Sequence, residues 1–173
     1  MSDTWKIQRP SLKAFLAPNS PEPSTKDLFL LFNEWISVAE DVFVDVADYS
    51  HIHQGPRVFL NGFYKDYIWD EGQGKPGLMV RYRQPQTGSN MQVLSEIHQE
   101  FMTRLESFSS WFAQKTPVLS FNHQTFLLRE MDRSSDRGQV VESLTRLASE
   151  VFVGCTSESW GSAADVPGIL VHI

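Results

Sequence analysis

Three stretches of this chain space their apolar residues three and four apart, while the apolar stretches between them alternate residue by residue. That switch of period restricts the fold more than any other feature. In the first stretch Leu28, Leu31, Phe32, Trp35 and Ala39 fall on one face of a helix over about 25–39. Ser24, with Asp27 three residues on, supplies its start. The second stretch is the longest. Leu94, Ile97, Phe101, Leu105, Phe108 and Phe112 predict a helix over about 90–114, roughly 36 Å long, with Ser89 and Gln92 capping it. In the third, Val140, Leu144, Leu147, Ala148 and Val151 predict a helix over about 136–152. Each stripe is apolar on one side only, so each needs a sheet or another helix to cover it.

The intervening stretches read as strands. "DVFVDVA" (41–47) sets Val42, Val44 and Val46 against Phe43, Asp45 and Ala47. "PRVFLNGFY" sets Val58 and Leu60 against Arg57, Phe59 and Asn61, and "YKDYIWDEG" forms a third strand. After the turn sequence "GQGKPG", "LMVRYR" sets Leu78, Val80 and Tyr82 against Met79, Arg81 and Arg83. Four short strands with brief connections predict an antiparallel meander over about 41–83. "SLKAFLA" predicts a strand ahead of it. "VLSFNHQTFLLREM" predicts a hairpin turning at Asn122-His123, and residues 155–160 and "ILVHI" supply C-terminal strands. Prolines 18, 21 and 23 make 17–25 a linker after the N-terminal arm. The expectation is a single α+β domain over 1–173, mainly antiparallel, with three helices.

Composition narrows the function classes. A chain that is 41% hydrophobic and 12% aromatic is too apolar for disorder. Its net charge of −6 opposes non-specific attraction to phosphate backbones or anionic membranes. Cys155 is the single cysteine, so neither an intrachain disulfide nor a cysteine-rich zinc site can form. With no signal-like N-terminus and no apolar run long enough for a bilayer, a cytoplasmic protein without a membrane partner is expected. No P-loop, G-x-G-x-x-G, H-E-x-x-H or G-x-S-x-G is present, which disfavours an enzyme of those kinds.

The most chemically suggestive stretch is "DYSHIHQGPRVF", residues 48–59. If the strand from Val42 runs on to residue 53, Tyr49, His51 and His53 share a side, and the two histidine Cα atoms lie about 6.5–7 Å apart. Such a pair could act in acid–base catalysis, or hold a divalent metal with one further donor. Asp70, Glu71, His98, His123 and His172 are the candidates for that donor. The competing structural explanation is a solvated strand rim just before Gly55-Pro56. No other cofactor is expected.

"DVADYSHIHQGPRVFLNGF", followed by "GKPGL", resembles an uncharacterised group of bacterial proteins with a D-V-A-D-Y…H…G-P stretch and a later G-x-x-G-L. The resemblance covers mainly residues 41–83 and implies no activity.

If the valine and leucine side of the meander is core, the other side carries Tyr49, Arg57, Phe59, Asn61, Arg81 and Arg83. Aromatic rings and guanidinium groups are the side chains that dominate binding hot spots. The leading expectation is therefore a binding or assembly protein. It would meet a protein partner, or a second copy of itself, through Phe59, Arg57 and Arg81. The alternative is an enzyme or metal-binding protein centred on His51 and His53. The third reading, single-stranded nucleic acid stacked on the same face, runs against the acidic net charge. The structural explanation for that face is a half-covered sheet, its aromatics buried under a helix or the N-terminal arm and its arginines paired with acids.

Overall fold

The computed structural model describes residues 5–38, 42–53, 55–115, 119–132, 135–162 and 165–173. Among them eight strands form one sheet: β1 (Pro10–Leu16), β2 (Phe43–Asp48), β3 (Pro56–Gly62), β4 (Lys65–Asp70), β5 (Gly77–Tyr82), β6 (Phe121–Glu130), β7 (Thr156–Trp160) and β8 (Gly168–His172). Three helices accompany them: α1 (Thr25–Val38), α2 (Asn90–Ala113) and α3 (Arg137–Val151). The fold is α+β with an antiparallel sheet, and no helix among the described residues is long and apolar enough to cross a membrane.

Local chemistry sets the helix starts. The Ser24 hydroxyl accepts from the Asp27 amide at 3.1 Å, that of Ser89 from Gln92 at 3.3 Å, and the Asp136 carboxylate from Gln139 at 3.1 Å. Each satisfies an amide that the first helical turn leaves without a partner.

The strand order is β2-β3-β4-β5-β1-β6-β8-β7. The expected meander is its first half. The N-terminal strand fills the centre: Ser11 lies opposite Arg81 on β5 and opposite Arg129 on β6. Leu12, Leu60, Tyr67, Trp69, Leu78, Val80, Leu128, Ile169 and Val171 point to one face and join the apolar stripes of all three helices in one core. There Trp69 stacks on Phe108 at 5.8 Å, and Trp35 meets Tyr67 edge-on at 5.5 Å. Among the described residues no helix packs on the other face, whereas its arginines are paired with acids as the structural explanation has it: Arg81 and Arg83 with Asp66, and Arg57 with Glu71.

Three local expectations are corrected. Phe43 pairs with Gly62 and Asp45 with Asn61, so Val44 is an extra, bulged residue. The bulge reverses the first part of β2: Phe43 is buried in the main core, whereas Val44 is 56% exposed. Alternation resumes with Val46 opposite Leu60. Gly62 permits the bulge, because a Cβ there would sit 2.7 Å from the Val42 carbonyl oxygen. Second, β2 ends at Asp48, so His51 and His53 lie in the following turn and do not share a strand face. Ile52 N donates to the Tyr49 carbonyl there, and the Ser50 amide to the Asp48 carboxylate, which closes the chain on itself. Third, Asn122-His123 is not a turn but part of the ten-residue β6. Neither residue takes a positive φ, and a bulge in the β1–β6 pairing lets Leu16 meet Phe121.

Candidate binding face

Cross-strand register organises the helix-free face into rows. Phe59, Ile68, Met79, Lys13, Leu127 and Leu170 succeed one another across six strands. Met79, expected to face outward, does so but is buried in this row between Ile68 and Lys13. Beside it runs a second row of Asp66, Arg81, Ser11, Arg129 and Gly168. Ile68 and Lys13 are buried in this face, Lys13 with its ammonium paired to Asp70.

The expected partner-binding residues divide into two groups. Tyr49 packs edge-on against Phe59 at 5.0 Å, and the Arg81 guanidinium lies 5.5 Å from the Phe59 ring centre. Arg81 donates from Nε at 3.2 Å and Nη2 at 2.6 Å to one oxygen of Asp66, whose carboxylate is almost fully buried. Arg83 stands 3.6 Å from the other Asp66 oxygen and donates to the Gly62 carbonyl at 2.9 Å. Arg83 and Asn61 line a shallow depression of about 500 Å³ with Val44 and Phe63. Tyr49, Phe59, Arg81, Arg83 and Asn61 thus form one strip over β3 to β5, joined by Asp66 of β4, with Tyr49 just beyond β2 and Arg83 just beyond β5. It ends on Val44, Phe63 and Tyr64, which are 56%, 57% and 59% exposed. Two cations share one buried acid in this strip, so a positive charge is left over at its exposed end.

Arg57 stands apart. It occupies a bulge between Pro56 and Val58, contacts Glu71 at 2.7 Å, and donates from Nη2 to the Pro23 carbonyl. That hydrogen bond ties the proline-rich linker to the sheet, and the side chain is largely covered. It is a structural clamp rather than a free contact group.

The histidines are exposed, and only His51 has a ring neighbour, Tyr49 at 6.1 Å. The expected third donors are engaged elsewhere. Asp70 binds Lys13, Glu71 binds Arg57 and the Trp69 indole, His98 packs on Phe126 and Phe152, and His172 meets Thr125. His123 is exposed on β6. Among the described residues no group of three histidine, cysteine, aspartate or glutamate side chains is placed to hold a metal ion.

Two features of the face went unseen in the sequence. One is the ion pair of Lys13 Nζ with Asp70 at 2.6 Å, both partners buried. Burial pulls the Lys13 ammonium below its usual range, and Asp70 opposes that effect without cancelling it. The lone charge inside "SLKAFLA" was the available signal. The other is a cavity of about 460 Å³ where the linker, the "GKPG" loop and the ends of β1, β6 and β8 converge. Its wall comes from four separate parts of the chain, which no local pattern links.

Compared with known proteins, the chain matches no protein-family model and no curated sequence, so its function is argued from this geometry alone.

Proposed function

We propose that this is a binding or assembly protein that docks through the helix-free side of its sheet, with a second copy of the chain as the occupant. The observation that carries the reading is the strip from Tyr49 through Phe59, Arg81 and Arg83 to the exposed Val44, Phe63 and Tyr64. It combines rings, guanidinium groups and an apolar end, the composition that concentrates binding energy at interfaces. Its rings and Arg81 are held in place by contacts within the chain, so little conformational freedom is lost on docking. Charge favours a second copy: Asp45 on edge strand β2, opposite Asn61, lies exposed on this face, next to a strip that ends in Arg83. Two molecules facing each other can set the acid of one against the guanidinium groups of the other. The acidic net charge and the single cysteine fit a cytoplasmic setting and disfavour nucleic acid.

Light scattering across a wide concentration range tests the reading. The expected result is a monomer–dimer equilibrium that Phe63→Asp and Arg83→Glu both shift to monomer, Phe63→Asp without lowering the melting temperature. A strict monomer at every concentration, or a dimer indifferent to both changes, refutes it.

A further inference from the structure

The 460 Å³ cavity lies at the opposite end of the same face, beyond Arg57 and away from the Tyr49–Arg83 strip. Phe15 and Leu170 line it, and they belong to a small apolar cluster with Leu127, against which Trp160 packs, separate from the main core. Phe15 and Trp160 are 5.9 Å apart. The island is buried by its own neighbours, and only Phe15 and Leu170, 9% and 7% exposed, reach the cavity wall.

Three further observations bear on what the cavity takes. Lys75 stands at the rim, its ammonium 4.7 Å from the Trp160 ring centre and 5.9 Å from that of Phe15. It has no salt bridge among the described residues, whereas Glu22, the acid on the wall, faces Arg57 at 3.9 Å. Among the described residues, the two non-glycine positions with left-handed backbone are Asn19 (φ 64°) and Gln73 (φ 59°). Asn19 lies in one wall loop, and Gln73 directly precedes Gly74 and Lys75 in the other. Such conformations are kept where surrounding structure imposes them, and they gather at ligand clamps. Lastly, the Trp160 indole nitrogen is buried with no hydrogen-bond partner, a donor left over beside the cluster.

We infer that this cavity is a small-molecule site for an amphipathic carboxylate, an alkyl or aryl body with one anionic head. The body lies on Phe15 and Leu170, and the head meets Lys75. The volume falls within the range of about 300–1,000 Å³ usual for such sites, and a mainly apolar wall with few polar groups is their usual make-up. The site does not depend on self-association, since it shares no residue with the Tyr49–Arg83 strip.

The test is calorimetric titration of the intact chain with decanoate, decanol and decylamine, alongside tryptophan emission. Decanoate is expected to bind saturably and to change the emission, a change lost in Trp160→Phe. Lys75→Met is expected to weaken decanoate about tenfold and to leave decanol unaltered, the loss of one charge-assisted contact. Ala17→Phe, which puts a ring into the cavity, is expected to abolish binding of both decanoate and decanol. Saturable binding by none of the three probes overturns the inference. So does decylamine binding more tightly than decanoate, or Lys75→Met binding decanoate as the unaltered chain does. Lys75 is exposed, so that last variant reads out even if Ala17→Phe does not fold.

Discussion

The two faces of this one sheet are buried by different means. On the helix side, Tyr67, Trp69, Leu78 and Val80 interlock with α1, α2 and α3, and burial is a matter of apolar shape. On the other side Ile68 and Lys13 are as inaccessible as core residues, yet no helix among the described residues packs on them. Ion pairs hold the charged side chains there in place: Asp66 fixes Arg81, Asp70 fixes Lys13, and Glu71 fixes Arg57. A shape-packed face tolerates loss of volume poorly, while a face covered by paired charges tolerates loss of one partner poorly. It also remains a surface, with groups at its edge still able to meet something else.

The sharpest break in this comparison comes from the helix side. Trp69→Ala removes the ring stacked on Phe108 and is expected to lower the unfolding free energy by about 3–5 kcal/mol in denaturant titration. The open face should respond nearly as strongly, but only to single changes. Lys13→Met leaves Asp70 buried without its cation and is expected to cost about 3 kcal/mol or more. The double change Lys13→Met with Asp70→Leu should recover most of that loss. If the double variant is as unstable as the single one, the face is not covered in the way described.

The smallest expected effect concerns pH. Burial beneath Phe126 and Phe152 pulls the His98 imidazole below its ordinary value of 6.5. The unfolded chain therefore binds this proton more readily than the folded one, and stability falls as pH drops below about 6.5. Relative to the unaltered protein, His98→Leu should flatten the stability profile over that interval, read by thermal melts at a series of pH values. An unchanged slope would place His98 in contact with solvent.

The helices were legible in the sequence to within a residue or two, because a 3.6-residue period over fourteen or more positions has no rival reading. The alternation of β3 and β5 was legible too: Val58, Leu60, Leu78 and Val80 are fully buried, with Phe59 and Arg81 on the other side. What escaped was every feature set by a partner strand. The extra residue at Val44 leaves no mark in a period-two pattern, since the pairing with Gly62 and Asn61 creates it. Asn122-His123 has turn composition, yet β6 runs on through it, fixed by β1 at Phe121 and by β1 and β8 from Thr125 onward. The site suffered likewise. Tyr49, Phe59 and Arg81 fall together as parity implies, while the bulge at Arg57 and its contact with Glu71 are tertiary facts that no local pattern carries.

The central place of β1 bears on how the molecule assembles during synthesis. Of the described strands β1 is made before its two neighbours, one whose partner to Ser11 is Arg81 and another whose partner is Arg129. It must stay unpaired until the meander is made, and half-paired until β6 follows. Sheets closed by such distant contacts form slowly. A nascent chain halted before β6 would expose one whole edge of β1, the stage most open to capture by another strand or by a chaperone.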